Sequence, residues 1–118
     1  MNVSPVTVSE YYPVQWTDPN LSPEYWWLDV GPFFDRFASI GSPAIKLAVL
    51  TGTGPYCTAA RFDALPRKYI DLKRTDLPTV LAGIGSEVPA LTPEIQAAIL
   101  STYTTEYERY IKGLPQPQ

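Results

Sequence analysis

The 118-residue chain contains no histidine, one cysteine and one methionine. Without histidine it lacks the commonest general base of enzymes, the imidazole of Ser-His-Asp and Cys-His arrangements, and every histidine-containing metal site. The single thiol, Cys57, cannot close an intrachain disulfide or build a thiolate zinc site; set in the small-residue run CTAA, it reads as buried and inert. No stretch approaches the ~20 apolar residues of a membrane-spanning helix. Residues 1–20 hold neither a basic residue nor the apolar run of a secretory leader, so the expectation is a protein made and folded in a reducing cytoplasm. The run 51–55, TGTGP, lacks the Lys-Ser/Thr of a phosphate-binding loop, and nucleotide binding is not expected there.

Carboxylates are present, and pairs such as Asp29 with Asp35 or Asp71 with Asp76 leave a carboxylate hydrolase formally open. A chain with 12 acidic residues offers many such pairs, and each of these also has a cap or surface-charge explanation. The chain therefore reads as a non-enzyme, with no catalytic, cofactor-binding or metal-binding residue assigned and no cofactor expected.

What the chain does have is aromatics and proline. Its 13 prolines are roughly twice average usage, and they fall between apolar runs more often than inside them. Residues 24–37, EYWWLDVGPFFDRF, hold two of the three tryptophans and three of the four phenylalanines. Charge is also uneven. Residues 1–35 carry Glu10, Asp18, Glu24, Asp29 and Asp35 with no Lys or Arg, whereas residues 36–76 carry seven basic residues against three aspartates. An acidic leading segment followed by a basic middle allows the first to dock on its own domain or on a neighbour's. The basic run Arg61, Arg67, Lys68, Lys73 and Arg74 is diluted by aspartates in an acidic protein, and reads as a solvated or ion-paired face rather than a nucleic-acid site.

Along the chain, four prolines and the turn-forming TDPN exclude a helix over residues 1–23 and predict an extended arm. Residues 32–41 predict a helix with Pro32 at its first position, Phe33, Phe37 and Ile40 on its inner face, Phe34 pointing elsewhere, and Asp35 and Arg36 toward solvent as an ion pair. Ser42 and Pro43 start a second helix, AIKLAVLT, expected to be the most buried element. A third covers residues 56–65 with Ala59 and Phe62 one turn apart, and a fourth follows Thr75 or Asp76 with Leu77, Val80, Leu81 and Ile84 inward and Gly85 as its stop. RKYIDLKR between them is a helical turn or an extended link. Thr92 and Pro93 open the last helix, with a break expected near residues 101–104 and the following TTEYERYIKG prolonging or restarting it. The fold class expected is mainly α, a compact bundle of about five short helices behind an extended, proline- and aromatic-rich arm. The expected divisions are 1–30 for the arm, 31–112 for the helical domain and 113–118 for a tail.

Large rigid rings dominate protein interfaces because they contribute area at low entropic cost. Tyr11, Tyr12, Trp16, Tyr25, Trp26 and Trp27 lie within one short stretch and are the expected partner-binding residues, unless they seal the domain's own core.

At GPFFDRF, AIKLAVLT, RKYIDLKR and VPALTPEIQAAIL the chain resembles small proteins encoded by tailed bacteriophages and prophages among their tail or tail-fibre genes. The similarity spans residues 27–100 and rests on fold motifs, so no functional residue is carried over. It implies a structural or adaptor protein of the virion, at the tail or its fibres, found first in the host cytoplasm during assembly and then in the particle. Its partners would be tail or fibre subunits or a second copy of itself, with neither nucleic acid nor membrane involved. A transient assembly chaperone of the tail fibre, absent from the mature particle, is the alternative.

Overall fold

Proline sets most of the helix starts. In the computed structural model, which describes residues 22–116, helix α1 spans Val30–Arg36, α2 Pro43–Thr51, α3 Pro55–Ala64, α4 Leu77–Glu87 and α5 Pro93–Ser101. Proline lies in the first two positions of α2, α3, α4 and α5, where its missing N–H has no helical partner to lose. Ser42 and Thr92 cap α2 and α5, each hydroxyl accepting a hydrogen bond from the amide three residues on, Ile45 and Ile95 respectively. Ser42→Ala is expected to cost about 1 kcal/mol, read as a small drop in the urea midpoint with the denaturant slope unchanged. Among the described residues the fold is mainly α, five short helices in one bundle, as its apolar periodicity predicts. The arm expected over residues 1–30 lies outside the described residues as far as residue 21.

Packing changes which faces point inward. Helix α1 continues through a wide turn, Phe37–Gly41, closed by the Ser42 amide on the Phe37 carbonyl. Phe33, Phe34 and Phe37 pack edge-on and stacked at 5.5–6.2 Å between ring centroids, so Phe34 joins the core instead of pointing away from it. Arg36 is also buried, and only Asp35 remains on the solvent side, where it pairs with Lys46 rather than with its neighbour. Helix α2 is amphipathic, not the fully buried element expected: Ile45 and Val49 face inward, while Leu47 is 63% exposed. Helix α3 turns the opposite way from expectation, with Cys57 and Ala64 inside and Phe62 76% exposed. Small residues on that inner face let α3 sit close to the end of α2, where a Cβ on Gly52 would lie 3.0 Å from the Cys57 sulfur.

Helix α4 lies between α3 and α5 and runs through Gly85 to Glu87, so this glycine is a packing residue and not a stop. A Cβ there would sit 2.5 Å from Gln96 Nε2, and one on Gly83 would sit 2.2 Å from the Tyr56 ring. The glycines are where neighbouring helices come closest. After α5 the chain breaks at Thr102, as its β-branched polar cluster predicts, but residues 105–110 neither prolong nor restart the helix.

Those residues instead flank an extended segment. Strand β1, Trp27–Leu28, pairs antiparallel with β2, Ile70–Asp71, so RKYIDLKR is an extended link. On the same edge the Leu72 amide bonds the Trp26 carbonyl. The opposite edge takes Thr104 on Tyr25, Tyr110 on Trp27 and, in reverse, Asp29 on the Glu108 carbonyl, with bonds of 2.8–2.9 Å. Alternate backbone groups of an extended chain point to opposite sides, which is why one short segment holds both neighbours. Among the described residues the core starts at Tyr25, ahead of the expected division at Gly31: Tyr25 and Leu28 are fully buried and Trp26 nearly so.

Candidate functional site

The six aromatic residues expected at a partner surface have three different places. Tyr11, Tyr12 and Trp16 lie outside the described residues. Tyr25 and Trp26 belong to the core. The Tyr25 hydroxyl donates to the Pro115 carbonyl at 3.0 Å, and the Trp26 ring meets Tyr103 edge-on and carries the Lys73 ammonium 3.9 Å above it. Trp27 alone remains half-buried at the surface.

There it builds a ladder that sequence spacing does not reveal. The Trp27 ring stacks on Tyr69 at 4.9 Å, and Tyr69 meets Tyr110 at 5.1 Å. The pairing of β1 with β2 and of Trp27 with Tyr110 brings together rings from three distant parts of the chain. Beside the ladder an open cleft of about 440 Å3 is lined by Arg67, Lys68, Tyr69, Asp71 and Arg74.

Charge around this cleft is partly spent. Asp63 accepts from both Arg67 and Arg74, and Arg74 also holds Asp76 at 2.6 Å. The Arg67 hydrogen bond, against a smaller opposing effect of burial, holds the Asp63 carboxyl below its usual range; the Arg74 bond does the same for Asp76. Asp71 accepts the Lys73 amide proton at 2.9 Å. Lys68, which lines the cleft, and Lys73, whose ammonium sits over the Trp26 ring, have no carboxylate partner among the described residues.

The carboxylates weighed as catalytic pairs each have their own partner: Asp29 with Lys112, Asp35 with Lys46, Asp71 with a backbone amide and Asp76 with Arg74. Among the described residues no group of three or more His, Cys, Asp or Glu side chains is placed to hold a metal ion, and no helix is long and apolar enough to cross a membrane. Cys57 is buried. That burial, reinforced by the Glu87 carboxylate, pushes its thiol above the ordinary value, which lowers its reactivity.

Arg36, Arg109 and Thr104 are the buried polar side chains among the described residues. Arg36 donates to the carbonyls of Ile99 and Thr102 at 2.7 Å and of Tyr103 at 3.2 Å, completing the C-terminal end of α5, and grips Glu108 through both carboxylate oxygens at 2.9 Å. Helix ends leave unpaired carbonyls and carry partial negative charge, so a guanidinium suits this position. Arg109 is fully buried with no carboxylate partner among the described residues. It donates to Thr104, to the Leu114 carbonyl and to Gln116, and lies 4.9 Å over the Tyr25 ring. Arg36 was findable, since Phe33, Arg36, Phe37 and Ile40 follow the spacing of one helix face. Arg109 left no such signal, because its segment is not a regular element.

Five of the six large apolar side chains exposed among the described residues, Leu47, Leu50, Tyr56, Phe62 and Leu65, lie on α2 and α3 or at the end of α3. Exposed apolar side chains concentrated on adjacent packed elements are the usual mark of a protein-binding face, whereas single ones are unremarkable. Comparison of the chain with protein-family models, curated proteins and solved structures returns no match.

Proposed function

We propose that this protein is a structural or adaptor component of a bacteriophage particle, at the tail or its fibres, that works by holding neighbouring protein subunits. The observation that carries the protein-binding part is the exposure of Leu47 and Phe62 at 63% and 76% on consecutive helices that pack together, and of Leu65 at 67% just past the end of the second. Burying one such side chain against a partner is worth roughly 1.5–3 kcal/mol. The arm adds Tyr11, Tyr12 and Trp16 to what the protein can offer a neighbour. The phage setting rests on the sequence resemblance over residues 27–100 alone.

Two measurements separate these parts. Mass spectrometry of washed particles from the phage or prophage that carries the gene is expected to find the protein at a fixed copy number; its absence removes the virion assignment. Phe62→Ser with Leu65→Ser is expected to abolish capture of the subunit it contacts while leaving the thermal midpoint almost unchanged, since neither side chain is in the core. Undiminished capture would move the binding face elsewhere.

A further inference from the structure

We infer that Tyr25 and Arg109 form a peptide-binding site for a Leu-Pro segment followed by an acidic residue, and that Leu114, Pro115 and Gln116 of this chain occupy it as a displaceable stand-in. The run 113–118, expected to be a tail, is gripped as far as residue 116. The Tyr25 hydroxyl donates to the Pro115 carbonyl at 3.0 Å, Arg109 Nη1 to the Leu114 carbonyl at 2.9 Å and Arg109 Nη2 to Gln116 Oε1 at 2.9 Å, while the Leu114 side chain packs on the core. Residues 113–116 make no backbone-to-backbone hydrogen bond among the described residues and belong to no helix or strand. Two buried side chains therefore hold three consecutive residues, as a groove holds a bound peptide.

The chemistry of the site selects its ligand. Arginine has only donors, and the Tyr25 hydroxyl acts as one here, so the site suits a segment rich in carbonyls and poor in N–H groups; proline, with no N–H, supplies one. A proline-containing segment is also preformed, and seating it costs little entropy. Arg109 is fully buried, yet its acceptors in Thr104, Leu114 and Gln116 are all uncharged, and no carboxylate among the described residues pairs with it. A carboxylate in the place of Gln116 Oε1 gives the stronger, charge-assisted bond that the guanidinium lacks. The chain's own segment is thus the weaker ligand. It follows Gly113, whose φ of 90° favours glycine, and it lies in no helix or strand, so releasing it breaks no regular element. The site shares no residue with the exposed face of α2 and α3, and it stands whether or not the phage setting does.

Fluorescence polarisation on the full chain tests it, with two labelled peptides as probes: GLPQPQ, the sequence of residues 113–118, and the same peptide carrying Gln116→Glu. The glutamate peptide is expected to bind about five-fold more tightly, the usual difference between a charged and a neutral hydrogen bond. The chain's own segment competes at an effective concentration near millimolar, so both peptides bind the parent protein weakly. Leu114→Ser in the chain weakens that competitor and is expected to tighten peptide binding about five-fold; Gln116→Glu in the chain strengthens it and is expected to weaken peptide binding about five-fold. Equal affinities for the two peptides overturn the inference, as does absence of binding to Leu114→Ser at an unchanged thermal midpoint. If Leu114→Ser lowers the midpoint, Gln116→Glu decides, because that side chain is exposed and its replacement leaves the fold intact; unaltered peptide affinity there overturns the inference.

Discussion

Arg36→Met is expected to lower the unfolding free energy by about 3–5 kcal/mol, the cost of breaking one side of a buried ion pair. That is a large part of the roughly 5–15 kcal/mol that holds a domain together. The guanidinium makes five hydrogen bonds, three to carbonyls at and beyond the end of α5 and two to Glu108. Methionine fills much of the same space and donates to none of them, so the carbonyls and the Glu108 carboxylate are left without their donor. Urea unfolding followed by circular dichroism gives the number. Combining Arg36→Met with Glu108→Gln is expected to recover part of the loss, since the second change removes the stranded charge. A loss below about 1 kcal/mol in the single variant would place Arg36 among ordinary surface ion pairs.

Acid should act on the same pair. Burial raises the Glu108 carboxyl, but the Arg36 and Thr105 hydrogen bonds outweigh it and hold the group below its ordinary value. A carboxyl depressed in the folded state stabilises fully above its unfolded value and loses that contribution as pH falls through its folded one. Stability is therefore expected to decline below about pH 4.5. Glu108→Gln should flatten part of that decline; Asp63, Asp76, Glu87 and Glu24, depressed likewise, keep the remainder.

Tyr25→Ala is the second large effect, expected at about 3–5 kcal/mol. Tyr25 is fully buried, its hydroxyl is bonded to Pro115, its backbone carbonyl receives both the amide and the hydroxyl of Thr104, and its ring covers the Arg109 guanidinium. Alanine keeps the backbone bonds but opens a cavity beside a buried cation. Trp27→Ala, two residues on, removes a ring that is only half-buried and is expected to cost about 1–2 kcal/mol. The difference is measurable as a thermal midpoint, at roughly 4–8 °C per kcal/mol for a domain of this size. Equal losses at the two positions would contradict the division of this aromatic run between core and surface.

That division was not legible in EYWWLDVGPFFDRF, because an isolated dense aromatic run looks the same whether it faces a core or a partner. Helix starts were legible, since Ser42 with Pro43 and Thr92 with Pro93 act through bonds within a few residues of the chain. Helix faces were legible where one apolar stripe stood alone, as with Leu77, Leu81 and Ile84 of α4. They failed in α3, where Phe62 and Cys57 compete for the inside and the smaller residue won because α2 lies too close for a ring. They failed again at Gly85, where a local stop signal was overridden by the approach of α5.

By itself the sequence determined the helical class, the caps, the break after α5 and the lack of histidine and paired cysteines, because each depends on composition or on contacts a few residues apart. Only the tertiary structure decided that residues 25–29 run between residues 70–72 and 104–110, that Arg36 and Arg109 are interior, and that Trp27, Tyr69 and Tyr110 share one face. Those contacts join residues tens of positions apart, and their free energy depends on which surfaces meet, which no local pattern encodes.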